Sequence, residues 1–134
     1  MASISNYLET ALLDHSLGTS AYTAPTNVYV ALFTTDPTDA DTGTEVSTSG
    51  TNYDRKIVTF AAASTTGGDS TADSAGDVEF DEATASWGTI THIGLYDAST
   101  SGNLLWHNAV TTSKTVGTGD TVIVRAADMV VSID

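Results

Sequence analysis

The chain has 134 residues, no cysteine and a net charge of −13, from 17 acidic residues against four Lys and Arg. A single domain of this size buries enough surface to fold without a disulfide or metal, and the missing cysteine excludes thiolate zinc sites and cysteine nucleophiles. So acidic a surface repels phosphate, which argues against direct nucleic-acid binding. Docking on a basic partner, life in high salt and a well-solvated surface all remain compatible with the charge. No apolar run approaches the roughly 18 residues of a membrane span. The start, Met1-Ala2-Ser3-Ile4-Ser5-Asn6, has neither the basic nor the apolar region of a secretory signal, so none is expected.

Residues 1–20 read as a helical segment. Ile4, Leu8, Ala11 and Leu12 recur at i, i+4, i+7 and i+8, one face of an amphipathic helix. Ser3, Ser5 or Asn6 can cap it, and Asn6 with Glu9 approximates a capping box. Leu17-Gly18 is a suitable stop. About three turns are too few to be stable alone, so the apolar face must dock on something, in this chain or in a neighbour.

Asn27–Thr35 holds the longest apolar run, Val28 through Phe33, bounded by Pro25 and by Asp36-Pro37. A short run of β-branched and aromatic residues predicts a strand buried on both faces. Asp36–Asn52 is polar and turn-rich, with an edge strand around Glu45–Ser47. Tyr53–Ala61 predicts a second strand. Residues 62–76, rich in Ala, Ser, Thr, Gly and Asp, read as a flexible loop. Asp77–Phe80 alternates, and Ala83, Ala85 and Trp87 continue the pattern. Thr89–Asp97 and Leu104–Val110, joined by a turn at 98–103, predict a β-hairpin. A turn at Gly117–Asp120 precedes strands at Thr121–Arg125 and Met129–Ile133. The expected fold is one mainly β domain over 1–134: an antiparallel β-sandwich, jelly-roll-like, with a short N-terminal α-helix.

Three constellations invite chemistry. Asp36, Asp39, Asp41, Gly43 and Glu45 form an acidic loop of the kind that binds calcium, but Gly43 falls at the third ligand position of the EF-hand order. Turn formation by Asp, Thr, Gly and Pro explains the same residues. His92 and His107 lie on the two hairpin strands and, with Asp97, invite a triad or a zinc site. There is no G-x-S-x-G elbow, and half-buried strand positions suit both histidines equally. His15 near the helix end suits the helix dipole. Trp87, Trp106, Tyr96 and Phe80 are either a sugar platform or core.

The helix followed by Tyr22-Thr23-Ala24-Pro25, the YVALFTTDPTD run, the block from Trp87-Gly88 to Gly94-Leu95-Tyr96-Asp97, and Gly102-Asn103-Leu104-Leu105 with Lys114-Thr115-Val116 form a pattern. It resembles a widespread family of small tailed-bacteriophage virion proteins, often labelled tail fibre proteins. The resemblance covers nearly all of the chain outside 62–76. It implies a non-enzymatic structural protein with no catalytic, cofactor-binding or metal-binding residues to carry over.

Small sandwich proteins of this kind are similar to head decoration, or cement, proteins. The function expected first is therefore a capsid decoration protein that bridges capsomers. A tail or tail-fibre component, with contact to host surface glycans, is the alternative. The implied partners are the major capsid protein and the chain itself, as dimer or trimer, with no nucleic acid and no membrane. The implied location is the capsid exterior of the virion, after synthesis in the host cytoplasm. Candidate partner contacts are Ile4, Leu8 and Leu12 on the helix face and Asp36, Asp39, Asp41 and Glu45 on the acidic loop.

Overall fold

The chain is built around one strand that has no polar face. A computed structural model describes residues 2–133. In it β2 (Val28–Phe33) lies inside a five-stranded antiparallel sheet of order β1-β8-β7-β2-β3. Its neighbours are β7 (Gly88–Tyr96) and β3 (Lys56–Val58); β8 (Leu104–Val116) and the two-residue β1 (Ser3–Ile4) complete the sheet. Strand side chains alternate between faces, so Val30 and Leu32 point one way and Ala31 and Phe33 the other.

The Val30–Leu32 face packs on a second layer. That layer is split into a three-stranded sheet, β10-β5-β4, and a pair, β6-β9. The strands are β4 (Ser64–Thr66), β5 (Asp69–Asp73), β6 (Val78–Glu79), β9 (Ile123–Val124) and β10 (Val130–Ile133). The result is the expected antiparallel sandwich, although its second layer is not the continuous sheet of a jelly roll. The core between the layers includes Tyr53, Phe80, Trp87, Ile90, Leu95, Val116 and Val124. Tyr53 and Trp87 meet edge to face, with ring centroids 5.3 Å apart, and Phe80 stacks on Tyr53 at 6.0 Å. The indole N–H of Trp87 donates to the Thr51 carbonyl at 2.9 Å, so its one polar atom is satisfied inside.

The other face carries a smaller cluster of Ala31, Phe33, Tyr96 and Leu104. Phe33 and Tyr96 stack with centroids 6.3 Å apart. Gly94 lies between them on β7. A Cβ there would stand 2.9 Å from both Leu104 Cδ1 and Phe33 Cε2, so only glycine lets these side chains close over the strand.

Several boundaries differ from expectation. The helix α1 runs Asn6–Ser16 and stops at Leu17, with Gly18 at φ +76°. Ser5 is its N-cap: its hydroxyl accepts from Leu8 N–H at 3.2 Å and donates to the Leu104 carbonyl at 2.5 Å. That bond ties the cap to β8 and draws Ile4 into β1, opposite Trp106. Ile4 therefore belongs to a strand, and its helical spacing to Leu8 is coincidental. With Ser5 as cap, Leu8 and not Glu9 stands at the third helical position, so there is no capping box. The helix docks on its own sheet through Leu8, which is 4% exposed.

The second predicted strand shrinks to Lys56–Val58, because Phe60 leaves β2 to bridge Ser74. The edge strand at Glu45 is a single bridge to Phe33. Residues 62–76, expected to lack regular structure, contain the hairpin β4–β5, turned at Gly67-Gly68 with both φ positive. Strand β10 supplies the pairing partner for β5 that composition could not reveal. Hairpin β7–β8 forms as expected and extends to Val116, with two irregularities, a one-residue slip between Leu95 and Tyr96 and a larger one further along. From Ile90–Lys114 to His92–Ala109, β8 uses five residues where β7 uses two, a large bulge at Val110–Ser113.

Replacing Gly94 by Ala should lower the unfolding free energy by about 1–3 kcal/mol, the usual penalty for overpacking. Urea denaturation checks it; an unchanged midpoint would mean that Phe33 and Leu104 yield freely.

Candidate functional site

Two features gather the charged and exposed apolar groups singled out in the sequence: the acidic loop and a groove beside α1. The loop is a compact fold of its own. Asp36 Oδ1 accepts from Thr38 N–H at 2.9 Å, and Thr42 N–H donates to the Pro37 carbonyl at 2.7 Å. Thr38 and Asp41 adopt left-handed φ of 59° and 56°. Gly43 sits so close to Pro37 that a Cβ would lie 2.5 Å from its Cα, which explains a glycine where a cation-binding loop would want a ligand.

Folded this way, the loop lies across the Phe33–Tyr96 face of the sheet, and its carboxylates meet side chains beneath it. Asp39 Oδ1 is 2.8 Å from His107 Nε2. Asp36 approaches His107 Nδ1 at 3.6 Å and His92 Nε2 at 3.8 Å, distances too long for a hydrogen bond. Asp41 accepts from the Tyr96 hydroxyl at 2.5 Å. Glu45 receives Arg55 Nη2 at 2.7 Å and Nε at 2.9 Å, and the Tyr53 hydroxyl at 2.8 Å.

Arg55 is the hub of this arrangement. Besides its fork onto Glu45, Nη1 donates to the carbonyls of Ala98 at 3.1 Å and Ser101 at 2.7 Å, on the β7–β8 turn. Its guanidinium lies 3.6 Å above the Tyr96 ring, a cation–π distance. Its side chain is 8% exposed. Burial alone would lower its pKa, but the Glu45 hydrogen bond and charge outweigh burial and raise it, so the guanidinium stays charged. The phenols of Tyr53 and Tyr96 are pushed far above their ordinary range. Burial is the largest cause for both. The Glu45 charge adds to it at Tyr53, and the Asp41 hydrogen bond at Tyr96.

This geometry answers the chemical readings. His92 pairs with Ala109 and His107 with Gly94, so the histidines are diagonal neighbours on one face. Asp97 is not with them: its carboxylate accepts from the Asn103 N–H at 2.7 Å and side-chain amide at 2.8 Å, holding the hairpin turn. A Ser-His-Asp relay is therefore not assembled from these residues. His107 turns opposite ring nitrogens to Asp36 and Asp39, so the four groups do not converge on one point. Among the described residues no three His, Asp or Glu are grouped to hold a metal ion. Phe80, Trp87 and Tyr96 are buried in the clusters above, which leaves only the half-buried Trp106 of the aromatic platform.

The groove lies between α1, β1 and the end of β10. Ile4, Leu12, Leu13, Trp106 and Ile133 line it, with Glu9 and Asp39 among its polar groups, and it encloses about 940 Å³. Of the partner-contact candidates it thus brings together Ile4, Leu12 and Asp39. Leu8 is buried beneath the helix, Asp36 and Asp41 face side chains of the sheet, and Glu45 is held by Arg55 and Tyr53 just before β3. Sequence reasoning passed over Leu13, Leu17 and Ile133, which are 61%, 76% and 52% exposed; Leu13 falls next to the apolar stripe and breaks the period that was used to find it. It also missed Arg55 as the hub. The signal was there, since one of only two arginines in an acidic chain, two residues after a strand-forming Tyr53, needs a carboxylate partner.

The fold and these two features define a small β-sandwich whose charged side chains are organised for structure. A family model described as Podophage GP4 fiber I protein gp80 matches residues 3–132. The chain belongs to this family and is a bacteriophage structural protein, as the sequence resemblance implied. No curated protein matches it. No helix among the described residues is long and apolar enough to cross a membrane.

Arg55→Ala should destabilise the fold by about 3–5 kcal/mol, because it leaves Glu45 uncompensated. Arg55→Lys should restore little, since an ammonium cannot fork onto Glu45 and reach two carbonyls together. Urea unfolding of both variants checks this; full rescue by Lys would reduce the role to simple charge. A second outcome concerns alkali. Above pH about 10 an unfolded phenol releases the proton that folded Tyr53 and Tyr96 retain, so the native state binds more protons. Stability is complete below that pH and falls above it, by about 1.4 kcal/mol per pH unit for each tyrosine. Phenolate absorbance and urea midpoints measured together should show both residues ionising only with unfolding.

Proposed function

We propose that this protein is a tail or tail-fibre structural component of a phage particle, with no catalytic role. The observation that carries the reading is the family match, which spans residues 3–132 and names a fibre protein. The side-chain chemistry agrees with it: histidines, carboxylates and phenols that could have formed a reactive site are paired off in the acidic loop. The reading from size and fold, a head decoration protein that bridges capsomers, accounts for the same sandwich but not for the fibre description.

On the fibre reading, the groove beside α1 is the seat for a neighbouring virion protein. Ile4 and Leu12 offer apolar area, and Glu9 and Asp39 at its rim favour a partner with basic flanks. A chain of net charge −13 gains association rate from such a partner. Asp36, Asp41 and Glu45 then act on the partner indirectly, by holding the loop against which Asp39 is presented.

Locating the chain on purified particles tests the proposal. Labelling confined to the tail, with a copy number that is a small multiple of a cyclic symmetry, supports it. Labelling over the whole head, at hundreds of copies, returns the protein to head decoration. Leu12→Asp in the groove should leave the isolated chain folded by circular dichroism yet prevent its incorporation into particles; normal incorporation would remove the groove from the proposal.

A further inference from the structure

At one open edge the sandwich is incompletely closed. Strand β8 has 13 residues, but β1 covers only Trp106 and His107. Among the described residues no strand pairs with the outer edge of β8 beyond them. In the facing layer β10 pairs with β5 on one side alone, and β9 belongs to a separate sheet. Between β8 and the β9–β10 region a cleft of about 760 Å³ opens into the core. Trp106 and Val110 line one wall, and Ile123, Met129 and Val130 the other. Ile123 and Val130 are 39% and 42% exposed, so the rim itself is apolar.

The charges around this cleft are unlike those elsewhere. From Ala98 through Gly119 there is no acidic residue, in a chain that has 17. Of the four Lys and Arg, Arg55, Lys56 and Arg125 each hold a carboxylate. Lys114 forms no ion pair among the described residues, and it lines the cleft. Asp128, in the turn before β10, lines it too and likewise has no ion pair among the described residues. One wall thus offers a spare cation and the other a spare anion.

We infer that a second copy of this chain covers the cleft, with Lys114 of each copy facing Asp128 of its neighbour. Two arguments select a copy over another occupant. The surface is self-complementary: apolar rim meets apolar rim, and the unpaired charges are of opposite sign on opposite walls, as a symmetric interface requires. It is also where a strongly acidic chain can approach its like, since β8 contributes no carboxylate there. The contact is made by side chains. The bulge at Val110–Ser113 interrupts β8, so a partner strand cannot ladder along its whole edge.

The experiment compares the full chain with Lys114→Asp, Asp128→Lys, the double exchange and Val130→Asp, by light scattering on a sizing column and sedimentation. Circular dichroism confirms that each is folded. The unaltered chain should assemble at about 100 µM, and Val130→Asp should be monomeric. Each single charge reversal should weaken assembly roughly tenfold, and the double exchange should restore it. Asp128→Lys is decisive because it lowers the net negative charge. If repulsion between copies were the only electrostatic effect, that variant would assemble more tightly. Such tightening, failure of the double exchange to rescue, or an unaltered chain that stays monomeric would each overturn the inference. The measurement uses isolated protein, so its outcome is separable from where the chain sits on a particle.

Discussion

The sheet at the centre of this protein has two apolar faces, and a chain of 134 residues supplies only one further layer to cover them. The second layer takes the Val30–Leu32 face. The Phe33–Tyr96 face must be covered by a loop, and a loop has no extended apolar surface with which to do it. The solution is polar attachment around an apolar centre. Phe33, Tyr96, Leu104 and Ala31 exclude water, while carboxylates at the loop's inner surface bond to the sheet around them. Arg55 completes it by joining the loop, the Tyr96 ring and the hairpin turn through a single planar group. A buried, forked guanidinium is rigid as well as attractive, so it sets the loop's position and not merely its affinity for the sheet.

This arrangement changes the meaning of the chain's acidity. A net charge of −13 describes the whole molecule, but the most acidic loop is partly neutralised from beneath by Arg55, and its Asp39 is taken up by the His107 ring. What remains for partners is a distribution: carboxylates at the rim of the α1 groove, and a long acid-free stretch through β8. These two surfaces lie on different parts of the molecule.

Helix α1 links the two halves of this picture. Its cap, Ser5, is bonded to Leu104, and the N–H of Asn6 donates to the Asp39 carbonyl at 2.9 Å. The helix, the acidic loop and the start of β8 are therefore bonded directly to one another. Asp39 belongs to both the loop and the lining of the groove.

By itself, the sequence determined what local pattern and composition can carry. The run Val28–Phe33 announced a strand with no polar side, the alternation at 89–110 announced its hairpin, and the helix stop at Gly18 was legible because a left-handed residue favours glycine. The family blocks announced a phage structural protein. Only the tertiary structure decided the rest, because the deciding contacts are distant in the chain. Ser5 was one of three possible caps until Leu104, 99 residues away, accepted its hydroxyl. Residues 62–76 resemble linker by composition, and become a hairpin because β10 lies beside them. Asp36, Asp39, Asp41 and Glu45 were ambiguous between cation site, docking surface and turn, since a carboxylate's role depends on the charge it meets. The groups they meet, on Arg55, His92 and His107, are brought to them by the pairing of β8 with β7, of β7 with β2 and of β2 with β3, and the last two of these no local pattern encodes.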